Sequence, residues 1–196
     1  DNLLPTDMNV EFRNRGQWFW DKLKPTDKIV DIGSNDGHCF EEWEHKENIT
    51  YVDIDEYDLP NFVRADAANL PFKDKKFDVS CLFEIVEHTD DPIKVLSEAR
   101  RVGKKTLVTV PYEYEWANDM EPFYTMKEKK LVAGEDFEKG LREENKAKSF
   151  HDDGFSHLFH KTFYTPELFK DHLTRAGFEE VKITKLRFGK WVWLAA

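Results

Sequence analysis

Two cysteines, Cys39 and Cys81, are all that the 196 residues contain. They are too few to staple a secreted scaffold, so a reducing compartment, the cytoplasm, is the expected location. Long apolar runs are missing as well. Stretches such as Thr106–Val110 fall far short of the roughly 20 residues that a bilayer span needs, and no basic-then-apolar leader opens the chain. Positive charge is in deficit: 29 Lys+Arg stand against 39 Asp+Glu, a net charge of −10. That balance argues against a protein that works by gripping nucleic-acid phosphates. Internal repeats and low-complexity tracts are absent too.

What remains is material for a core. Hydrophobic residues make up 40% of the chain and aromatic ones 14%, and the length suits one domain. The sequence starts at Asp1 and stops within the apolar run Trp191–Ala196. Two readings of those ends stay open, a trimmed chain and a domain excised from a longer one with a covalently linked neighbour.

From about residue 28, short apolar runs alternate with helical patterns. Lys28–Ile32, Ile49–Ile54, Phe62–Ala65, Phe77–Phe83 and Thr106–Val110 read as strands. Pro92 starts a helix whose Ile93, Leu96 and Ala99 share a face, and Gly103 stops it. Thr165-Pro166-Glu167 opens another helix, ended by Gly177. Glu180–Leu186 and Lys190–Leu194 read as closing strands joined through Gly189 into an antiparallel edge. Such alternation predicts an α/β fold, a mostly parallel sheet covered on both faces. Residues 1–25, with Phe12, Trp18, Phe19 and Trp20, read as a helical cap over the sheet. Residues 112–161 are a long, charged and aromatic interruption, expected to form a lid or substrate-binding insertion.

The sharpest local signal is Ile29–Gly37, IVDIGSNDG. A strand ends in an acid, Asp31, and Gly33 and Gly37 bracket a tight turn before an expected helix at His38–Glu44. Glycine lets the backbone approach a ligand closely, and a helix start offers unpaired N–H groups. The spacing is not the G-x-G-x-x-G of a dinucleotide site, because Asn35 holds the middle position. Asp53 ends the next strand, where an acid can accept from ribose hydroxyls. Asp66-Ala67 follows the third strand, and Asn69-Leu70-Pro71-Phe72 leads into Phe77-Asp78-Val79.

In that order these pieces resemble a class I S-adenosylmethionine-dependent methyltransferase, over about residues 26–110 and again over 155–186. The resemblance implies a Rossmann-like, seven-stranded sheet and S-adenosyl-L-methionine as cofactor. Asp31 and Gly33 would line the methionine end, with Ser34, Asn35 and Gly37 completing the loop. Asp53, followed by Ile54, would hold the ribose diol. Asp66 and Ala67 would read the adenine, and Phe83 would sit near the sulfonium. Two departures stand out: Asn35 replaces a glycine, and the stretch from Asp53 to Phe62 is short for a helix.

Past the fourth strand lie Glu84, Glu87 and His88, within five residues. Together with a distal His160 they could hold a hard divalent cation, Mg²⁺ or Mn²⁺. The set is similar to the metal site of small-RNA 3′-terminal 2′-O-methyltransferases. The same histidine also occurs in methyltransferases without metal, as a structural group or a base, and His88, His157 and His160 are the candidate bases. The loop after the fourth strand has no Asn/Asp-Pro-Pro-Tyr/Phe motif of the kind used to methylate base or glutamine nitrogens, so a hydroxyl acceptor is expected. A metal would favour a vicinal diol, as in a sugar, a glycan or a catechol.

Two alternatives remain. One is a methyltransferase acting on the terminal ribose of RNA, although residues 112–161 carry eight Lys/Arg against twelve Asp/Glu. The other is a catalytically inactive methyltransferase fold serving as a binding module.

Overall fold

Ile29–Ile32 is buried along its whole length, and Phe77–Phe83 is buried at every position but Asp78. Strands so apolar on both sides belong in the middle of a parallel sheet that is covered above and below. The computed structural model describes residues 8–12, 15–112, 124–127, 130–133, 160–188 and 191–196. Its elements in chain order are β1 (Asn9–Glu11), α1 (Arg15–Trp20), β2 (Ile29–Ile32), β3 (Ile49–Asp53), β4 (Phe62–Arg64), β5 (Phe77–Phe83), α2 (Pro92–Val102), β6 (Gly103–Pro111), β7 (Tyr124–Lys127), β8 (Lys130–Ala133), α3 (Pro166–Arg175), β9 (Thr184–Phe188) and β10 (Trp191–Ala195). Eight strands form the main sheet in the order β1-β9-β10-β6-β5-β2-β3-β4, and β7 and β8 pair separately as an antiparallel hairpin.

The helix ends follow from their sequences. Asp91 accepts the Lys94 N–H at the start of α2, and Thr165 accepts that of Leu168 at the start of α3, each just before a proline in the first turn. Gly103 ends α2 and begins β6 at once, because a β-carbon there would meet Ser80 Oγ at 2.5 Å and the Lys105 carbonyl at 2.8 Å. On one face of the sheet, α2 and α3 bury Val95, Leu96, Ala99, Phe169 and Leu173 against Val30, Ile32 and Leu82. On the other, Trp18 and Phe19 of α1 join Phe40, Tyr51, Cys81 and Phe83.

Three expectations change. The sheet has eight strands, not seven, because β1 adds itself alongside β9 in parallel. The antiparallel strand is not the edge: β10 lies between β6 and β9 and runs against both. Val192–Ala195 is buried and needs neighbours on both sides, whereas exposed Asn9 and Val10 suit an edge. The expected helix His38–Glu44 shrinks to a single 3₁₀ turn, His38–Phe40. Only Phe40 is fully buried there and Glu41 and Glu42 face water, too little anchoring to offset helix nucleation. Of the expected insertion, only the backbone of the β7–β8 hairpin and both ends lie within the described residues. Among those residues no helix is long and apolar enough to cross a membrane.

Candidate functional site

In chain order the strands run from β2 outward to β4, then return through β5 and β6 on the other side of β2. The crevice between the carboxyl ends of β2 and β5 is thus the switch point, where open α/β sheets bind ligands. A cavity of about 710 Å³ opens there, lined by Gly33, Asp53, Asp66, Glu84, Ile85 and His88 among others.

Gly33 has φ +74°, and the side chain of Ile85 occupies the place where its β-carbon would stand. Any larger residue would therefore fail on both conformation and space. Asn35 follows at φ 47°, the left-handed geometry that asparagine adopts more readily than most residues. Its N–H donates to Asp53 Oδ2 at 2.9 Å, while the Asp55 N–H donates to Oδ1 at 3.1 Å. Both oxygens of Asp53 are thereby held by backbone at the end of β3. Asp66 is fixed in the same way, accepting the Ala68 N–H at 2.8 Å.

Of the residues expected to bind cofactor, Gly33, Asn35, Asp53, Ile54, Asp66 and Ala67 line the cavity. Asp31, Ser34, Gly37 and Phe83 are not among its lining residues. Phe83 is instead a core residue, stacked on Phe19 with ring centroids 4.0 Å apart and planes 17° apart. Strand alternation sends it to the α1 side, away from the crevice. Gly37 shapes the turn at φ +78°, its α-carbon facing Leu59 and Tyr51. Asp31 is buried on the same side as Phe83. Burial first, and the neighbouring Asp53 charge second, push its carboxyl up to about 7, with Arg15 opposing.

At the other end of the cavity, donor atoms of Glu87, His88 and His160 all lie within 4.8 Å of one another. Glu87 is wholly buried, and its Oε1 is 3.9 Å from His88 Nε2. The two imidazole rings meet edge to face at 4.7 Å. His160 comes from 72 positions beyond His88 in the chain. It is brought in because the Lys161 and Thr162 N–H groups donate to the Glu87 carbonyl at 2.7 and 3.2 Å. Burial lowers the His160 pKa to about 4, so the ring is neutral at pH 7. Glu84, expected in this set, is outside it. Its carboxylate pairs with Arg15, and its backbone sits at φ 56° after the end of β5. His157 lies outside the described residues.

Several contributors have no signal in the sequence. Arg15 sits in a segment conspicuous for its aromatics. Ile85 matters only through its approach to Gly33, and Tyr164 only through burial beside Glu87 and a 3.1 Å contact with His172 Nδ1.

Residues 30–106 match the family described as "Methyltransferase domain". Solved structures of similar fold include a SAM-dependent methyltransferase from Thermotoga maritima, at 21% identity over 92% of this chain and 86% of that one, with a TM-score of 0.56. Another, an S-adenosylmethionine-dependent methyltransferase from Mesorhizobium loti, matches at 13% identity over 93% and 97%, with a TM-score of 0.59. A third, from Archaeoglobus fulgidus, is 22% identical over 86% and 68%, with a TM-score of 0.54. No curated protein matches the chain in sequence. The family match over residues 30–106 and the fold shared with these structures agree with the Rossmann-like sheet of this chain.

Proposed function

We propose that the chain transfers a methyl group from S-adenosylmethionine to a hydroxyl of a sugar, glycan or small-molecule diol, with help from a divalent cation. The observation that carries this reading is the grouping of Glu87, His88 and His160, of which His88 lines the cavity that Gly33, Asp53 and Asp66 also line. Asp53 would accept the ribose hydroxyls and Asp66 the adenine, each already oriented by backbone N–H groups. A cavity of about 710 Å³ lies in the size range of small-molecule sites.

The donor chemistry fits a cation. The set offers one buried carboxylate beside two imidazoles, and His160, kept neutral by burial, can ligate without first losing a proton. Two nitrogens and one oxygen suit Mn²⁺ better than Mg²⁺, which prefers oxygen. Such an ion, when bound, lowers the pKa of a coordinated hydroxyl. Without the ion, His88, partly exposed at the cavity wall, is the group placed to take up the proton; as a ligand it has no lone pair left for that role. The sulfonium is already activated, so positioning the acceptor and removing its proton are the tasks left to the protein.

The test is a methyl-transfer screen of sugars, catechols, amines and short RNAs, with Mn²⁺, Mg²⁺ or EDTA. Turnover of a diol with Mn²⁺ that disappears in EDTA is expected. Full activity in EDTA removes the metal from the reading, methylation of amines alone removes the hydroxyl, and a strong preference for RNA replaces the small acceptor with a terminal ribose.

A further inference from the structure

Away from the cavity, the amino ends of the parallel strands gather positive charge that the rest of the chain lacks. β6, β5, β2 and β3 are neighbours in that order and run parallel, so all four start at the same end of the sheet. Lysine marks each start: Lys104 and Lys105 just inside β6, Lys75 and Lys76 just before β5, Lys28 just before β2, and Lys46 in the 3₁₀ turn that leads into β3. All six are exposed. The segments that meet here, residues 22–28, 46–47, 73–78 and 100–105, carry eleven Lys+Arg and four Asp+Glu, in a chain whose net charge is −10. The opposite end of the sheet is acidic, with Asp53 closing β3, Asp66 beyond β4 and Glu84 after β5.

Contacts bind these segments into one surface. Asp78 accepts the Lys28 N–H at 2.9 Å and Lys104 Nζ at 2.7 Å. Lys105 Nζ donates to the Lys22 carbonyl at 3.0 Å, and Asn48 Nδ2 to that of Pro25 at 3.0 Å. Lys75 Nζ donates to the Arg100 and Gly103 carbonyls at 2.7 and 2.8 Å, which caps the end of α2. Lys75, Lys104 and Lys105 thereby serve the fold. The side chains of Lys28, Lys46 and Lys76 form no ion pair among the described residues. Exposed like charges placed side by side repel, so the fold alone gains nothing from grouping them. A grouping kept at that cost points to a partner of opposite charge.

The chemistry of the patch selects among anions. Lysine is a hydrated point charge without the planar fork that grips phosphate in two places. The large apolar side chains exposed among the described residues are Val10, Phe12, Ile54 and Phe188, beside β1, past the end of β3 and on β9. This end of the sheet therefore offers no apolar anchor to a bilayer. Of its rings, Phe77 is buried and Phe72 lies beneath Lys76, whose Nζ is 4.4 Å from the ring centre, so neither is open for stacking on bases. Three strand spacings make the row about 14 Å long. Carboxylates at four-residue steps on a helix are about 6 Å apart, so three of them cover most of that row.

We infer that the amino end of the sheet, centred on Lys28, Lys46 and Lys76, is a docking surface for an acidic segment of another protein. It lies at the far end of the strands from Gly33, Asp53 and Glu84, so a docked partner leaves the cavity open. The partner is a tether and not the molecule that enters the cavity.

Fluorescence anisotropy with a labelled polyglutamate peptide tests this. The peptide should bind in dilute buffer and lose about tenfold in affinity at physiological ionic strength. Lys28→Glu, Lys46→Glu and Lys76→Glu combined should weaken binding about 30-fold, whereas Lys94→Glu, Lys170→Glu and Lys182→Glu combined should change it less than about 3-fold. Both triple variants alter the net charge equally, so the difference reports position. Carbodiimide cross-linking of the unaltered chain should join the peptide to Lys28, Lys46 and Lys76 ahead of Lys94, Lys170 and Lys182, a readout that survives if a variant fails to fold. Equal losses in the two variants, cross-links spread evenly over all six lysines, or no binding in dilute buffer overturn the docking surface. Tighter binding of single-stranded RNA, or of phosphatidylserine vesicles, than of the peptide overturns the acidic protein as its partner.

Discussion

The two ends of the cavity are built by different means. At the Gly33 end, the groups are set by backbone: Asp53 is held by the N–H groups of Asn35 and Asp55, and Asp66 by that of Ala68. Every partner is within 18 residues in sequence. At the His88 end, the groups are side chains that meet only because residues 160–162 dock on the Glu87 carbonyl. A local, backbone-made end tolerates loss of distant contacts but no change in its turn geometry. A side-chain end assembled across 72 positions depends on one docking event. The following substitutions probe that contrast, from the largest effect downward.

Gly33→Ala should be the most damaging. An alanine at φ +74° is strained by roughly 1–2 kcal/mol, and its methyl would overlap Ile85, with Cγ1 at 2.9 Å. Together a loss of about 3 kcal/mol is expected, read as a lower urea midpoint. Ile85→Ala in the same chain should restore part of it, and failure to do so would locate the cost elsewhere. Next comes Asp53→Ala. Removing an acceptor of two backbone N–H groups should reduce S-adenosylhomocysteine affinity about 100-fold, and unchanged affinity in calorimetry would end the ribose assignment.

Two groups perturbed by burial, Asp31 on the α1 side of β2 and His160 beside His88, titrate in opposite senses. Asp31 has a folded pKa of about 7 against an ordinary 3.8, so the folded state holds an extra proton between those values and gains stability as pH falls through 7. His160 has a folded pKa of about 4 against 6.5. Its contribution is complete above 6.5 and is lost as pH falls toward 4. The full swings are of the order of 4 kcal/mol for Asp31 and about 3 kcal/mol for His160. In metal-free buffer, urea unfolding between pH 7.5 and 4.5 should show the two offsetting each other. Asp31→Asn should then lose stability more steeply on acidification, and His160→Asn less steeply. Profiles parallel to that of the unaltered chain would contradict both assignments.

The same contrast explains what was legible in the sequence. Gly33, Asp53 and Asp66 could be read because chain order alone carries them to adjacent strand ends, and the helix starts at Pro92 and at Thr165-Pro166 were equally local. Phe83 was misplaced toward the cofactor because proximity to a strand end says nothing about which face a side chain takes. That face is set by alternation and by what α1 packs against it. Glu84 and His88 looked equivalent as ligands until a left-handed backbone at Glu84 turned its carboxylate toward Arg15. The inner position of β10 was hidden because β1, only three residues long and largely exposed, gives almost no strand signal.

The smallest effect makes the finest test. Thr165 touches neither end of the cavity, yet its hydroxyl caps α3 by accepting the Leu168 N–H at 3.2 Å, four residues after the docked Lys161. Thr165→Ala should cost about 1 kcal/mol of stability, as the loss of an N-cap usually does. The run from His160 to Thr165 is the tether that holds the His160 ring against His88, so loosening the cap should weaken Mn²⁺ binding a few-fold by calorimetry. S-adenosylhomocysteine affinity should not move, since Asp53 and Asp66 are set by the N–H groups of Asn35, Asp55 and Ala68. Thr165→Ser, which keeps the capping oxygen, should restore Mn²⁺ binding. A parallel loss of both ligands in Thr165→Ala would mean that the ends are coupled through the sheet and that their separate construction does not make them independent.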